Sequence, residues 1–123
     1  MTGIKIVDAS ALAALLFAEP EAAKIAERLK GARLAAPSLL NYELANICLT
    51  KIRRQPNQRV ALRTAFGLAY RLRVETVAVD HAATLDLADA TGLTAYDASY
   101  LWLARALGGE LITLDRKLAA AAV

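Results

Sequence analysis

The sequence predicts an α/β fold in which a parallel sheet lies between two layers of helices. Three observations lead there. Short apolar runs rich in β-branched residues alternate, along 123 residues, with longer segments whose apolar positions recur at helical spacing. Gly and Pro stand where those helical segments start or stop. Three of the apolar runs end directly at an aspartate: Asp8, Asp80 and Asp115. Strands joined by helical crossovers form a parallel sheet covered on both faces. The length suits one domain, expected to span residues 1–123.

Each element has its own justification. Ile4-Lys5-Ile6-Val7 reads as a buried strand ending at Asp8, and Ser10 is placed to cap a helix from about Ala11 to Ala18. Pro20 suits the first turn of a second helix that Gly31 stops. Leu34-Ala35-Ala36 is a short strand, and Pro37-Ser38 starts a third helix with Leu40, Leu44, Ile47 and Cys48 on its apolar stripe. Gln55-Pro56-Asn57 breaks it. A fourth helix runs to about Arg73, with Val60, Phe66 and Ala69 apolar. Val74–Val79 is a strand, and Asp80 caps a helix that stops at Gly92. Thr94-Ala95-Tyr96-Asp97 resembles a capping box, opening a helix that ends before Gly108-Gly109. Leu111–Leu114 is the last strand, ending at Asp115, and a short Ala-rich helix follows.

Composition narrows the function classes. A hydrophobic content of 57% argues against disorder. The longest uninterrupted apolar run, Ala11–Ala18, is far short of the ~18–20 residues of a spanning helix. Asp8 interrupts the apolar N-terminal stretch, which argues against an export signal, and the single Cys48 suits a buried thiol in a reducing cytoplasm. Charge is unevenly distributed. Leu44–Val74 holds Lys51, Arg53, Arg54, Arg59, Arg63, Arg71 and Arg73 and no acid, so within a net charge of +3 the rest of the chain sums to −4. A basic segment beside an acidic remainder fits a polyanion partner, and equally a solvated helical surface.

The acids hold the chemistry. Asp8 and Asp115 follow the first and last strands, Asp97 lies in a first helical turn, and Glu43 lies in the second turn of the third helix among Leu39, Leu40, Tyr42 and Leu44. In parallel sheets, sites form beyond the carboxyl ends of the strands, where the strand assignments put Asp8 and Asp115. Each acid also has a plain alternative: Asp8, Asp97 and Asp115 as helix caps, Glu43 as a solvent-facing side chain. Clustered carboxylates stay ionised together only near a cation, and hard oxygen ligands select Mg²⁺ or Mn²⁺ rather than Zn²⁺. One His and one Cys leave too few ligands for an ordinary zinc site. Such a centre would activate a water and stabilise charge on a phosphodiester, with the basic segment holding the backbone.

The strings IVDASALAALL, PSLLNYELANI, LTAYDASYLWLAR and ELITLDRKL resemble the successive motifs of PIN-domain proteins. Size and spacing resemble the VapC-type toxins of toxin–antitoxin pairs, over essentially the whole chain from Ile6 to Leu118. The resemblance implies a three-layer α/β/α domain with a central parallel sheet of about four or five strands. It implies that Asp8, Glu43, Asp97 and Asp115 form the catalytic metal site for Mg²⁺, with Mn²⁺ able to substitute. Ser10 and Thr113 match polar positions that would orient carboxylates, water or substrate. The implied activity is endonucleolytic cleavage of RNA to a 5′-phosphate and a 3′-hydroxyl. The implied assembly is a cytoplasmic homodimer inhibited by a small VapB-type antitoxin whose C-terminal segment wraps the toxin near its active site. Glu43 is open as metal ligand or as general base. Arg53, Arg54, Arg59 and Arg63 are candidate phosphate contacts, as is Arg116 beside Asp115. The third and fourth helices are candidates for the dimer interface. A relative that cuts DNA and a non-catalytic nucleic-acid or protein-binding module are the alternatives. A signalling receiver does not fit, because no Asp occurs between Asp8 and Asp80.

Overall fold

A computed structural model describes residues 3–123, so residues 1 and 2 of the expected domain lie outside it. Four strands, β1 (Ile4–Val7), β2 (Arg33–Pro37), β3 (Glu75–Val77) and β4 (Glu110–Ile112), form one parallel sheet in the order β3-β2-β1-β4. Seven α-helices cover it: α1 (Ala9–Leu16), α2 (Ala22–Leu29), α3 (Leu40–Arg54), α4 (Arg59–Gly67), α5 (His81–Thr91), α6 (Ala95–Leu107) and α7 (Arg116–Ala121). In one layer α6 lies across β1, β2 and β4 and packs against α5 and α7; in the other α1 packs against α2 and α3, and α3 against α4. The arrangement is the expected three-layer α/β/α fold.

The strand order places the site. Successive strands step one way from β1 to β3, and the chain then returns to the far side of β1 for β4. The order therefore reverses between β1 and β4, and a crevice opens at such a switch point beyond the carboxyl ends of the strands. Ile6 and Val7 of β1 and Ile112 of β4 are fully buried there, each stabilising the fold by about 1.5–3 kcal/mol. The amide of Asp8 continues the ladder by donating to the Ile112 carbonyl at 3.2 Å.

Several boundaries differ from the sequence reading. Asp8, not Ser10, is the N-cap of the first helix: its carboxylate accepts from the Ala11 amide at 3.0 Å, freeing the Ser10 hydroxyl for other contacts. Pro37 ends β2 instead of starting a helix. It pairs only with Val77 of β3, beyond the last β1 partner, where its missing N–H interrupts no central ladder. The third helix consequently begins at Leu40, which moves Glu43 into its first turn. The fourth helix stops at Gly67, and a 3-10 segment, Leu68–Leu72, continues to Arg73 in the left-handed region. Val60 is 79% exposed because α4 packs mainly on α3 and the 3-10 segments beside it and buries no residue completely. The expected strands at 74–79 and 111–114 shrink to three residues each, so Asp115 stands beyond Thr113 and Leu114 instead of directly after a strand. Cys48 is buried, as expected.

Gly109 is required by close approach rather than by its dihedral angles. A Cβ there would meet the Ile4 carbonyl oxygen at 2.9 Å, so no side chain fits between β4 and β1. Gly109→Ala is expected to cost about 1–3 kcal/mol in urea unfolding. Gly67→Ala, at a helical position with open space, should be neutral or slightly stabilising.

Candidate active site

Four helices begin around the crevice, and each contributes one acid. Asp8 N-caps α1, Asp115 N-caps α7 with its carboxylate accepting from Leu118 at 2.9 Å, and Asp97 and Glu43 lie in the first turns of α6 and α3. All four line one cleft of about 320 Å³, together with Ala9, Ser10, Asn46, Ile47 and Tyr100. Among the described residues no Lys or Arg lines it.

Asp8 is the most tightly held. It is 6% exposed, and its Oδ1 accepts from Ser10 Oγ at 2.7 Å as well as from the Ala11 amide. Its Oδ2 accepts from the Thr113 hydroxyl. The same two hydroxyls fix the chain after β4: the Leu114 amide donates to Ser10 Oγ and the Asp115 amide to Thr113 Oγ1, both at 3.0 Å. Ser10 and Thr113 thus tie Asp8 to the segment that presents Asp115. Glu43 is held differently. The hydroxyl of Tyr100, on α6, donates to Glu43 Oε1 at 2.6 Å and bridges the two helices across the cleft.

The electrostatics are those of crowded anions. Burial raises the Asp8 carboxyl above the ordinary range, further raised by Asp115 and only partly offset by the hydrogen bonds from Thr113, Ser10 and Ala11. Burial raises Glu43, with the charges of Asp97 and Asp8 adding and the Tyr100 bond opposing. Burial also raises Asp97, with Asp115 and Asp8 adding, against some relief from Lys117. The Tyr100 phenol is pushed up by burial and by its bond to Glu43, so it stays a donor.

The donor set suits a hard cation. A carboxylate has about four lone-pair sites. Among the described residues no hydrogen bond reaches Asp115 Oδ2, Glu43 Oε2 or either oxygen of Asp97, and Asp8 Oδ2 has one partner. Four carboxylates thus line the cleft, with no imidazole or thiolate among them. Among the described residues the acids stand apart around it and are not gathered into a closed three-ligand group.

The arginines are not brought to this cleft. Arg53 and Arg54 end α3, ten residues of helix beyond Glu43 and therefore about 15 Å away. Arg59 and Arg63 line a separate groove of about 390 Å³ between α3 and α4, with Ala45, Cys48, Leu49, Ile52 and Phe66. Arg116 is exposed at the first position of α7, beside Asp115. Sequence reasoning missed Tyr100 and Asn46. Each lies three residues after an acid, Asp97 and Glu43, and so shares its helix face, which was the available signal.

The geometry can be set against known proteins. The PIN-domain family profile matches residues 5–123. Ribonuclease VapC3 of Pyrobaculum aerophilum is 37% identical over 120 residues, covering 93% of this chain and 91% of the relative. The crystal structure of PAE2754 from Pyrobaculum aerophilum superposes with a TM-score of 0.77 at 30% identity, covering 98% of this chain and 87% of that one.

Two outcomes test the site. A carboxyl raised on folding stabilises the protein below its unfolded pKa, and that stability is lost as pH rises through the folded value. In chelator, Asp8→Asn should therefore melt higher than the parent at about pH 7, and the gap should close towards pH 4. Asn keeps the cap, so the helix is retained. Tyr100→Phe should keep the fold but weaken Mn²⁺ affinity or cleavage by about 10–100-fold, read by calorimetric titration and by a cleavage assay.

Proposed function

The chain belongs to the PIN-domain family, among its VapC-type members, and from that premise we propose that it is a metal-dependent endoribonuclease, the toxin of a toxin–antitoxin pair. The observation that supports this best is the cleft itself: four carboxylates converge on it and no basic side chain lines it among the described residues. Carboxylates so placed suit Mg²⁺, with Mn²⁺ as a substitute, held by Asp8, Asp97 and Asp115 with Glu43 beside them. When bound, the ion lowers the pKa of a water and offsets charge on the scissile phosphate.

The chain's own residues supply the rest. Ser10, Thr113 and the Ala11 amide hold Asp8 in one orientation. Asp97 and Asp115 face it from α6 and α7 with uncommitted oxygens. Tyr100 fixes Glu43 Oε1 and leaves Oε2 to orient the attacking water and take its proton. In-line attack by that water leaves a 5′-phosphate and a 3′-hydroxyl. RNA is the proposed substrate because the 37% identical relative is named a ribonuclease.

The proposed setting follows from the same family. The protein works in the cytoplasm as a homodimer, with a VapB-type antitoxin as partner. No helix among the described residues is long and apolar enough to cross a membrane. Exposed Val60, Leu49 and Leu68 around α4 make that face the proposed dimer contact.

Purified protein should cut total RNA into discrete fragments with Mg²⁺ or Mn²⁺ and not with chelator. Asp8→Asn should lower the rate at least about 100-fold while remaining folded. No cleavage under any condition, with residual antitoxin excluded by mass spectrometry, would overturn the reading. Reversing Arg59 and Arg63 to Glu should weaken RNA binding and lower the slope of log K against log salt by roughly 1.4. An unchanged slope would remove them from the RNA path.

A further inference from the structure

Two exposed tyrosines adjoin acids of the cleft in the chain without lining the cleft themselves. Tyr42 immediately precedes Glu43 on α3, and Tyr96 immediately precedes Asp97 on α6. Tyr42 is 81% exposed and Tyr96 67%, whereas Tyr100 is 1% exposed. Neither exposed phenol makes a hydrogen bond among the described residues. Residues four apart share a helix face. Tyr42 therefore stands one turn above Asn46, and Tyr96 one turn above Tyr100, and both lower residues line the cleft. Helical side chains lean towards the N-terminus of their helix. Here both helix N-termini open at the mouth, since the first-turn acids of α3 and α6 line it. The two rings thus stand on the rim, on two helices that meet through the Tyr100–Glu43 bond.

The cleft is lined by four carboxylates, Arg116 is exposed beside Asp115, and the Arg-rich end of α3 lies about 15 Å from Glu43. A phosphodiester at the cleft finds no arginine or lysine among the described lining residues. Besides a bound cation, Arg116 and Lys117, uncharged contacts can add attraction close to the cut. Aromatic rings stack on nucleobases of any sequence, provided that the base faces are free. In a duplex those faces are covered by neighbouring pairs.

We propose that Tyr42 and Tyr96 are stacking platforms for bases beside the scissile phosphate. The inference rests on the ribonuclease reading above and adds to it a base-binding subsite.

The test separates binding from cleavage. Affinity for a short, unstructured, fluorescein-labelled oligoribonucleotide is measured by anisotropy in chelator, and cleavage of total RNA is followed in Mg²⁺. Tyr42→Ala and Tyr96→Ala should each weaken binding by about 5–100-fold, by the same factor at low and high salt, because the lost contact carries no charge. Tyr42→Phe and Tyr96→Phe keep the ring and should bind within about twofold of the parent. Tyr70→Ala, an exposed tyrosine on the 3-10 segment after α4, should change nothing. Melting temperatures should be unaltered throughout, since all these rings are exposed. The same oligonucleotide annealed to its complement should bind more weakly and resist cleavage. If the parent cleaves RNA but both alanine variants bind as it does, the stacking assignment is overturned, the nuclease reading survives, and the rim becomes a surface for a protein partner. Equal cutting of duplex and single strand also overturns the assignment. A parent that neither binds nor cleaves RNA overturns both.

Discussion

Mutual repulsion among Asp8, Glu43, Asp97 and Asp115 is the constraint that the rest of the molecule answers. Four carboxylates around one small cleft destabilise any chain that folds them together, and the raised carboxyl groups of Asp8, Glu43 and Asp97 record their burial first and their neighbours' charge second. The compensation is built into the backbone. Each acid sits at the N-terminal end of a helix, α1, α3, α6 or α7, where unpaired amides and the helix dipole favour negative charge. Each such placement contributes about 0.3–1 kcal/mol, more where partly buried. A parallel sheet delivers three of these ends to one edge because α1, α3 and α7 start where β1, β2 and β4 finish, while α6 follows α5 and reaches the same edge by its packing across the sheet. Sheet order, helix starts and acid positions are in that sense one solution. An antiparallel sheet of the same residues would scatter the helix N-termini over both edges.

Much of the fold was legible in the residues because local chemistry decides it. β1 is a four-residue apolar run with nowhere to go but the core, and Gly92 and Gly108 end α5 and α6 in the left-handed conformation that glycine adopts without strain. Misreadings arose where tertiary pairing overrode local preference. Pro37 looks like a helix start, yet at the last register position of β2 it meets only Val77 and is free to close a strand. Ser10 looks like a cap, but Asp8 is already poised at the end of β1 and takes that role, releasing the serine to bridge Asp8 and Leu114. Val60 looks like a core position, but α4 packs mainly on α3 and turns Val60 outward. The placement of the four acids could be anticipated from strand ends and helix starts. The Tyr100–Glu43 bond joins residues 57 positions apart, and no local pattern announces such a contact.

The four acids are also held to different degrees. Asp8 has three donors and little exposed surface, so its position is set by β1, α1 and the chain after β4 together. Asp115 spends one oxygen on its helix cap, and Glu43 spends one on Tyr100. The Asp97 side chain accepts no hydrogen bond among the described residues. Rigidity therefore falls from the Asp8 side of the cleft to the Asp97 side. Under the proposed function, a site for one cation and for varied nucleotides would suit such a gradient. One wall is preorganised by packing and hydrogen bonds, and the other is free to settle around what arrives.

Separation of charge along α3 completes the logic. The first turn of that helix presents Glu43 to the cleft, and its last turn carries Lys51, Arg53 and Arg54. This polarity matches the helix dipole at both ends, so a single helix holds acid and base apart without strain. The separation has a chemical consequence. Arginines inside the cleft would neutralise the carboxylates by direct pairing and remove the free oxygens on which a cation depends. Placed beyond the cleft, they can attract a polyanion without quenching the site. Under the proposed function, attraction of RNA and its cleavage would then respond to salt and to metal independently, and the cleft could take up its cation before it meets its substrate.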